Sequence, residues 1–559
     1  MSMTPSNRPG EPESPIPDIQ SAPPAETKTH HAMAHRPPDE PSVTTQPGKS
    51  RSALNLRDLW AYRARLYSPT GRDIKVRYKP ATLCSRPGSS SNVTRLFLAA
   101  IILLSCMLTI HRAFIVPIFQ APDEISHFDY AVSIYSAGRL LNVREAPSGW
   151  NVAPKTYGND WEKITHVWTQ YLCEATGYEN VMVHESARIS PDYGSRAYFE
   201  ELDRNAPRET ARESSPENNP WLLRGYPFGY YTVLALWLYL VSLFTDSLVN
   251  LFFAARLFSV LLLACNLSLA YWMCRLLGLT ERRALALTAI IGFFPLTTYV
   301  SSAVQPDNLS LTLALLTFCL TLRGKPAWAG LVLGCLLVTK YHVFLWVALP
   351  VFALCAARGQ WRAIARALPA IVLLGCVQLW VQYGDHLANN FHFTTHLRTG
   401  VKAALRDYYY YGGYAFGTYW ATPYGWKLLP APLKEALWAA TMVALALTAL
   451  RLMLGWVEIV KRRSVRFALS NPVLNAHLLY LGFMVALYAA TENSFVAQGR
   501  HFYPFFVSGL WLAAEYAPSA IRHKKARTVV RFVVYATLLA GCVVLQYQSL
   551  QAIRLRYYG

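Results

Sequence analysis

Charge is scarce in this sequence. Of 559 residues only 15% are Asp, Glu, Lys or Arg, against about 25% in an average soluble chain. Acidic residues are scarcer still, 33 against 53 basic ones. Cysteine is almost missing from the polar segments. Cys106, Cys265, Cys274, Cys319, Cys335, Cys355, Cys376 and Cys542 all sit in apolar runs, where a reduced thiol behaves as a small hydrophobe. Cys173 alone falls in the large polar loop, so no disulfide is expected inside that loop. No export signal is visible before the first apolar run, near residue 96. These shortages exclude a soluble enzyme, a nucleic-acid binder and a fibrous protein.

Apolar sequence is plentiful instead: 53% of residues are hydrophobic and 13% aromatic. A bilayer crossing needs roughly 20 mostly apolar residues, and such runs recur. They lie near 96–116, 227–245, 251–275, 284–302, 308–322, 327–340, 342–357, 367–384, 434–456, 473–491, 502–516 and 529–548. Before them, residues 1–94 form a basic tail whose first part is rich in Pro, Ser and Thr, a composition that cannot bury a core. Within the tail, Leu56, Leu59, Trp60 and Leu66 interleave with Arg57, Arg63 and Arg65, the pattern of a short interfacial helix.

Twelve crossings starting from a cytoplasmic tail conflict with the positive-inside rule. Arg275, Arg282 and Arg283, then Arg358, Arg362 and Arg366, then Lys461, Arg462 and Arg463, then Arg522, Lys524 and Lys525 would all lie outside. The conflict disappears if 227–245 does not cross. The expectation is therefore an all-α polytopic protein of about eleven transmembrane helices. Loop 117–226, with about half of the acidic residues, then becomes extracytoplasmic, as does a second loop over 385–433. The last helices occupy 434–559.

That topology gathers the unusual polar residues on one face. Pro122-Asp123-Glu124-Ile125-Ser126-His127 follows the first span directly. Residues 124–141 read as an amphipathic helix with Ile125, Phe128, Val132 and Tyr135 on one side. The acidic pair either caps this helix or supplies a base. Gln305-Pro306-Asp307-Asn308 lies between two spans, where Asp307 either caps the next helix or binds a ligand. Lys340-Tyr341-His342 divides 327–357 into limbs too short to cross alone. Broken helices at membrane depth are tolerated where they line a cavity, and a cation there is costly and needs a reason; snorkelling is the plain alternative. Gln498-Gly499-Arg500-His501 lies in another outer loop. The 385–433 loop is dense in aromatics, Trp420 among them, which suits either an interfacial girdle or a sugar- or isoprenoid-binding surface. Acidic groups suit general-base work or a divalent cation, and Lys and Arg suit a phosphate.

The order Pro-Asp-Glu-x-x-His, then Pro227 to Tyr231, Ala255-Arg256-Leu257, Pro306-Asp307-Asn308, Thr339-Lys340 and Gln498-Gly499-Arg500 resembles the bacterial predicted-membrane-protein family known as domain of unknown function 2142. The resemblance covers roughly 95–515. More distantly the chain resembles the GT-C superfamily of integral-membrane glycosyltransferases. That resemblance implies a GT-C-like transmembrane module over 95–384, with juxtamembrane helices in its first outer loop. It implies Asp123 and Glu124 as a catalytic acidic pair serving as base or metal ligand, Asp123 and Asp307 as ligands of a divalent cation such as Mg or Mn, and Lys340 and Arg500 as contacts to a donor phosphate. His127, Tyr341, His342, Gln498, His501 and Trp420 complete the expected substrate site. His501 departs from the Tyr expected after Gly-Arg.

The expected function is transfer of a sugar from a polyprenyl-phosphate donor to a periplasmic or lipid-linked glycan, at the periplasmic face of a bacterial inner membrane. The partners are then the lipid bilayer, the donor and the acceptor, with no nucleic acid. The rival is a non-enzymatic polyprenyl-lipid transporter or envelope-assembly scaffold, since charges within the membrane also mark transport paths.

Overall fold

The computed structural model describes residues 92–121, 123–140, 155–156, 163–164, 166–183, 187–207, 226–382, 471–480 and 503–559, with single helical positions at 432, 435, 450, 453 and 457. The tail with its interfacial helix, the 385–433 loop and the greater part of the runs at 434–456 and 473–491 lie outside the described residues.

The described residues are almost wholly helical. Helix α1 (Asn92–Ile115) is followed by α2 (Glu124–Ala137), a two-residue antiparallel pair (β1, Lys155–Thr156; β2, Lys163–Ile164), α3 (Val167–Ala175), α4 (Tyr178–Val183) and α5 (Arg196–Arg204). Then come α6 (Gly229–Ser242), α7 (Leu248–Leu276), α8 (Glu281–Phe293), α9 (Pro295–Ser301) and α10 (Pro306–Leu322). Next are α11 (Pro326–Leu337), α12 (Tyr341–Ala357), α13 (Trp361–Gln382), α14 (Phe506–Trp511) and α15 (Lys524–Tyr557). A π-helical turn (Leu512–Tyr516) and a 3-10 turn (Ala517–Ala520) separate the last two.

Among the described residues, α1, α7 and α15 are long and apolar enough to cross a membrane, and a fourth crossing forms if the bent pair α8–α9 counts as one. Eleven crossings were expected for the whole chain. At 14 residues, α6 is short of the roughly 20 needed. The run at 284–302, expected as one helix, bends by 59° between α8 and α9. Phe294 is extended there and Pro295 opens the next helix, because proline has no N–H to continue the hydrogen-bond ladder. The last helix is longer than its apolar run, at 34 residues. Its extra turns carry Arg554 and Arg556 out of the apolar zone.

Helix α7 is central, packing against α1, α6, α8 and α10. One apolar core joins the second half of α7 to α8–α12, α14 and α15. A second joins the first half of α7 to α2–α6 and the C-terminus of α15. The described residues between 117 and 207 thus form a cap over one end of the bundle. Asp203 of the cap accepts hydrogen bonds from Ser247 Oγ (2.5 Å) and the Val249 amide (3.0 Å) at the start of α7. The end of α15 meets the same cap: Tyr557 O accepts from the Ile189 amide (3.3 Å), and Tyr558 Oη donates to Ile115 O (2.9 Å). At the opposite end, Thr94 Oγ1 donates to Glu281 (2.7 Å), and buried Glu515 pairs with Arg283 (3.0 Å) and Arg531 (3.2 Å).

Candidate functional site at the cap end

Helix α1 ends at Ile115, just before Pro117, which leaves carbonyls of its last turn without helical partners. Arg256, two turns into α7, fills them. Its Nη1 donates to Ala113 O and Val116 O, both at 2.6 Å, and its Nη2 to Pro117 O at 2.8 Å. Nε and Nη2 grip Glu124 at 2.8 and 2.6 Å. All five guanidinium hydrogens are thereby used. Glu124 Oε1 also accepts from the Val304 amide at 3.0 Å, and the Phe252 ring centroid lies 4.7 Å from Arg256 Cζ. Both side chains of the pair have 0% exposure. Glu124, expected in the catalytic acidic pair, is held here as the hub that joins α1, α2, α7 and the approach to α10. Its oxygens are committed and shut off from solvent.

Asp123 is placed differently. It is half-buried and stands at the head of α2 with φ 56° and ψ 8°, the left-handed region that Asp and Asn enter more readily than most residues. Its carbonyl accepts from the His127 amide at 3.1 Å, but its side chain does not cap the helix. Asp123 thus holds the N-cap position of the helix through its backbone. Helix α2 itself is buried on every side from Glu124 to Ile134; the expected amphipathic stripe is replaced by a core helix, because cap and bundle enclose it from both sides.

His127 is buried, with Nδ1 2.8 Å from Tyr231 Oη and the Tyr226 ring 5.0 Å away. Tyr231 lies within electrostatic reach of Asp123 and stacks on Tyr130 at 4.3 Å. The Pro227–Tyr231 run thus links the first acidic motif to the rest of the site. It also reaches the helix break. The Gly229 amide donates to Val338 O at 2.7 Å. A Cβ on residue 229 would stand 2.7 Å from that oxygen and 2.9 Å from Val338 Cγ2, so only glycine permits the approach.

The break at 338–340 presents Lys340 in an extended conformation between α11 and α12. Its ammonium pairs with Asp307 in the first turn of α10. The Lys340 side chain is 13% exposed. Asp307 does not cap α10; Gln305 holds that position. Asn308 fixes the turn instead. Its Oδ1 accepts from Ser301 Oγ (2.8 Å) and Tyr503 Oη (3.2 Å), and its Nδ2 donates to Val300 O (3.0 Å). Tyr480 and Tyr503 both lie within electrostatic reach of Asp307. Tyr341 is exposed. The His342 side chain, together with Trp420, Gln498, Arg500 and His501, lies outside the described residues.

The expected metal ligands Asp123 and Asp307 gain no third acidic, His or Cys neighbour in a ligand cluster among the described residues. Asp307 instead faces a lysine ammonium, which stands where a cation would bind.

A family model described as "Predicted membrane protein (DUF2142)" matches residues 106–508. The chain belongs to that family. No curated protein matches it. The DUF2142 match begins within α1, ends within α14 and leaves out α15, although α15 reaches both the cap and α1.

Sequence reasoning marked Ala255-Arg256-Leu257 but gave Arg256 no role. An arginine alone in an apolar run was the available signal, since such a charge needs a buried partner. Arg112 is a second case. It is fully buried in α1 and donates to Ser549 Oγ (3.0 Å) and Gln546 Oε1 (2.9 Å). Gln546 in turn donates to Phe293 O (3.0 Å) and Thr298 Oγ1 (2.8 Å) across the α8–α9 bend.

Proposed function

We propose that this protein is an inverting membrane glycosyltransferase of the GT-C type, using a polyprenyl-phosphate sugar as donor. The acceptor is a periplasmic or lipid-linked glycan. The observation that carries the reading is a half-buried carboxylate, Asp123, at the same end of the bundle as a largely buried lysine at a helix break. A lysine near membrane depth costs roughly 2.5–3.5 kcal/mol, and an anionic headgroup gives it a use.

In this reading Asp123 takes the proton from the acceptor hydroxyl. The freed oxygen attacks the anomeric carbon as its bond to the phosphate oxygen breaks, and that electron pair stays on the polyprenyl phosphate. Lys340, with Arg500 from the following outer loop, offsets the charge growing on the phosphate. Glu124, bonded to Arg256, contributes by fixing the start of the helix that Asp123 precedes. A divalent cation at Asp307 would have to displace Lys340.

The basic residues support a periplasmic cap, an inner-membrane location and a cytoplasmic tail. Arg275, Arg283 and Arg531 gather at the end opposite the cap, as the positive-inside rule asks of a cytoplasmic face. About eleven crossings remain the reading for the whole chain. The test is purified protein given a polyprenyl-phosphate sugar and a glycan acceptor. Release of polyprenyl phosphate with glycosylation of the acceptor supports transfer; binding of the donor without release favours the transporter or scaffold.

A further inference from the structure

We infer that the Asp307–Lys340 ion pair is a latch, opened when a phosphate ester carried on an apolar chain takes the Lys340 ammonium from Asp307. The inference rests on the proposed function only for the kind of anion that reaches this end of the bundle.

Four features carry it. Lys340 has three hydrogens to donate and, among the described residues, directs its ammonium to Asp307; capacity remains for a second anion. The side chain is partly exposed, so an outside ligand has access. The backbone at the break is pinned by the Gly229–Val338 hydrogen bond, so the ammonium changes partner by side-chain rotation while the helices stay in place. Asp307 lies in the first turn of α10, where the positive end of the helix dipole supports a carboxylate that has lost its counter-ion.

The surface beside the latch points to a lipid-linked source for the phosphate. Tyr341, Leu345 and Leu349 are 46%, 49% and 52% exposed. Their spacing places them in one row along α12, starting next to Lys340. A phosphate at Lys340 with its chain along this row uses both features, whereas inorganic phosphate uses only the first.

The test is binding to the full chain in detergent, with farnesyl monophosphate, inorganic phosphate and farnesol as separate probes and no sugar present. Farnesyl monophosphate is expected to bind, and the other two at least ten-fold more weakly, a difference of about one charge-assisted hydrogen bond or a few buried methylenes. Lys340→Met is expected to weaken farnesyl monophosphate binding by about ten-fold or more. Asp307→Asn is expected to strengthen it by about ten-fold, because the competitor for the ammonium has gone. Asp307→Ser gives the same sign if the Asn variant folds poorly. Weaker binding in folded variants of both Asp307 and Lys340 overturns the latch, and so does equal affinity for inorganic phosphate. Since no sugar is present, a protein without transferase activity still shows the opposite signs, and a failed latch leaves the transfer reading standing.

Discussion

Arg256–Glu124 and Lys340–Asp307 are two acid–base pairs at one end of the same bundle, and they differ in how completely each is satisfied. In the first, every guanidinium hydrogen is used, both carboxylate oxygens are bonded, and neither side chain meets solvent. In the second, among the described residues, a lysine at a helix break donates to one carboxylate, and its side chain is partly exposed. Saturation and closure make the first a structural joint. A lysine with one carboxylate partner among the described residues, and with partial access, suits the second to the partner exchange proposed for it. A sequence shows both only as charges near apolar runs; what separates them is the number of neighbours each charge keeps.

The largest effect is expected from breaking the closed pair. Glu124→Gln leaves the Arg256 charge buried with carbonyls alone, and losing one partner of such a pair typically costs about 3–5 kcal/mol. The expected outcome is loss of monodisperse protein on extraction, measured by size-exclusion yield and thermal unfolding. A Glu124→Gln protein that folds normally but is inactive would return Glu124 to the chemistry.

Next comes Asp123→Asn. Asn enters the left-handed region as readily as Asp, so the φ of 56° at this position is kept. Turnover is expected to fall by roughly 10²–10⁴-fold, the usual contribution of a general base, with unchanged folded yield. Wild-type turnover in this variant would remove Asp123 from the mechanism.

A smaller effect is expected from Gly229→Ala. The new methyl meets Val338 O at 2.7 Å, and such overpacking costs about 1–3 kcal/mol. Because it pushes directly on the break that presents Lys340, headgroup binding should weaken even in the folded fraction. A loss of stability with unchanged binding would show that the break does not set the Lys340 position.

The smallest effect lies in the cap and depends on pH. His166 Nδ1 accepts from the Trp168 amide (3.2 Å), so its Nε2–H donates to Ser136 Oγ (2.8 Å). Burial pushes its pKa down to about 3, from an ordinary 6.5. Between those values the unfolded chain binds the extra proton, so this contribution to stability is complete above about pH 6.5 and declines as pH falls toward 3. Limited proteolysis of the cap should accelerate on acidification from pH 7 to 4.5, and His166→Gln should flatten that response.

Much of the fold was legible because membrane helices announce themselves by length and hydropathy. The break at Lys340 was legible too, since limbs of 12 and 17 residues flank it and a cation separates them. The bend at Phe294 was not, because Pro295 sits in a run that stays apolar on both sides. The all-round burial of α2 was hidden for a related reason: His127 and Asp129 look like an exposed face until Tyr231 and the His166 amide are seen to meet them. Asp123 and Glu124 were adjacent and chemically alike in the sequence. Only the fold sends one to the half-open head of α2 and the other into Arg256, a contact 132 positions away.

The most direct test compares Arg256→Met with Lys340→Met in one set of preparations, measuring folded yield and farnesyl monophosphate affinity for each. The expected result is that Arg256→Met loses most of the folded protein, while Lys340→Met keeps wild-type yield and binds about ten-fold or more weakly. Wild-type yield for Arg256→Met, or a Lys340→Met protein that folds and binds like wild type, would contradict the division between a closed structural pair and an open functional one.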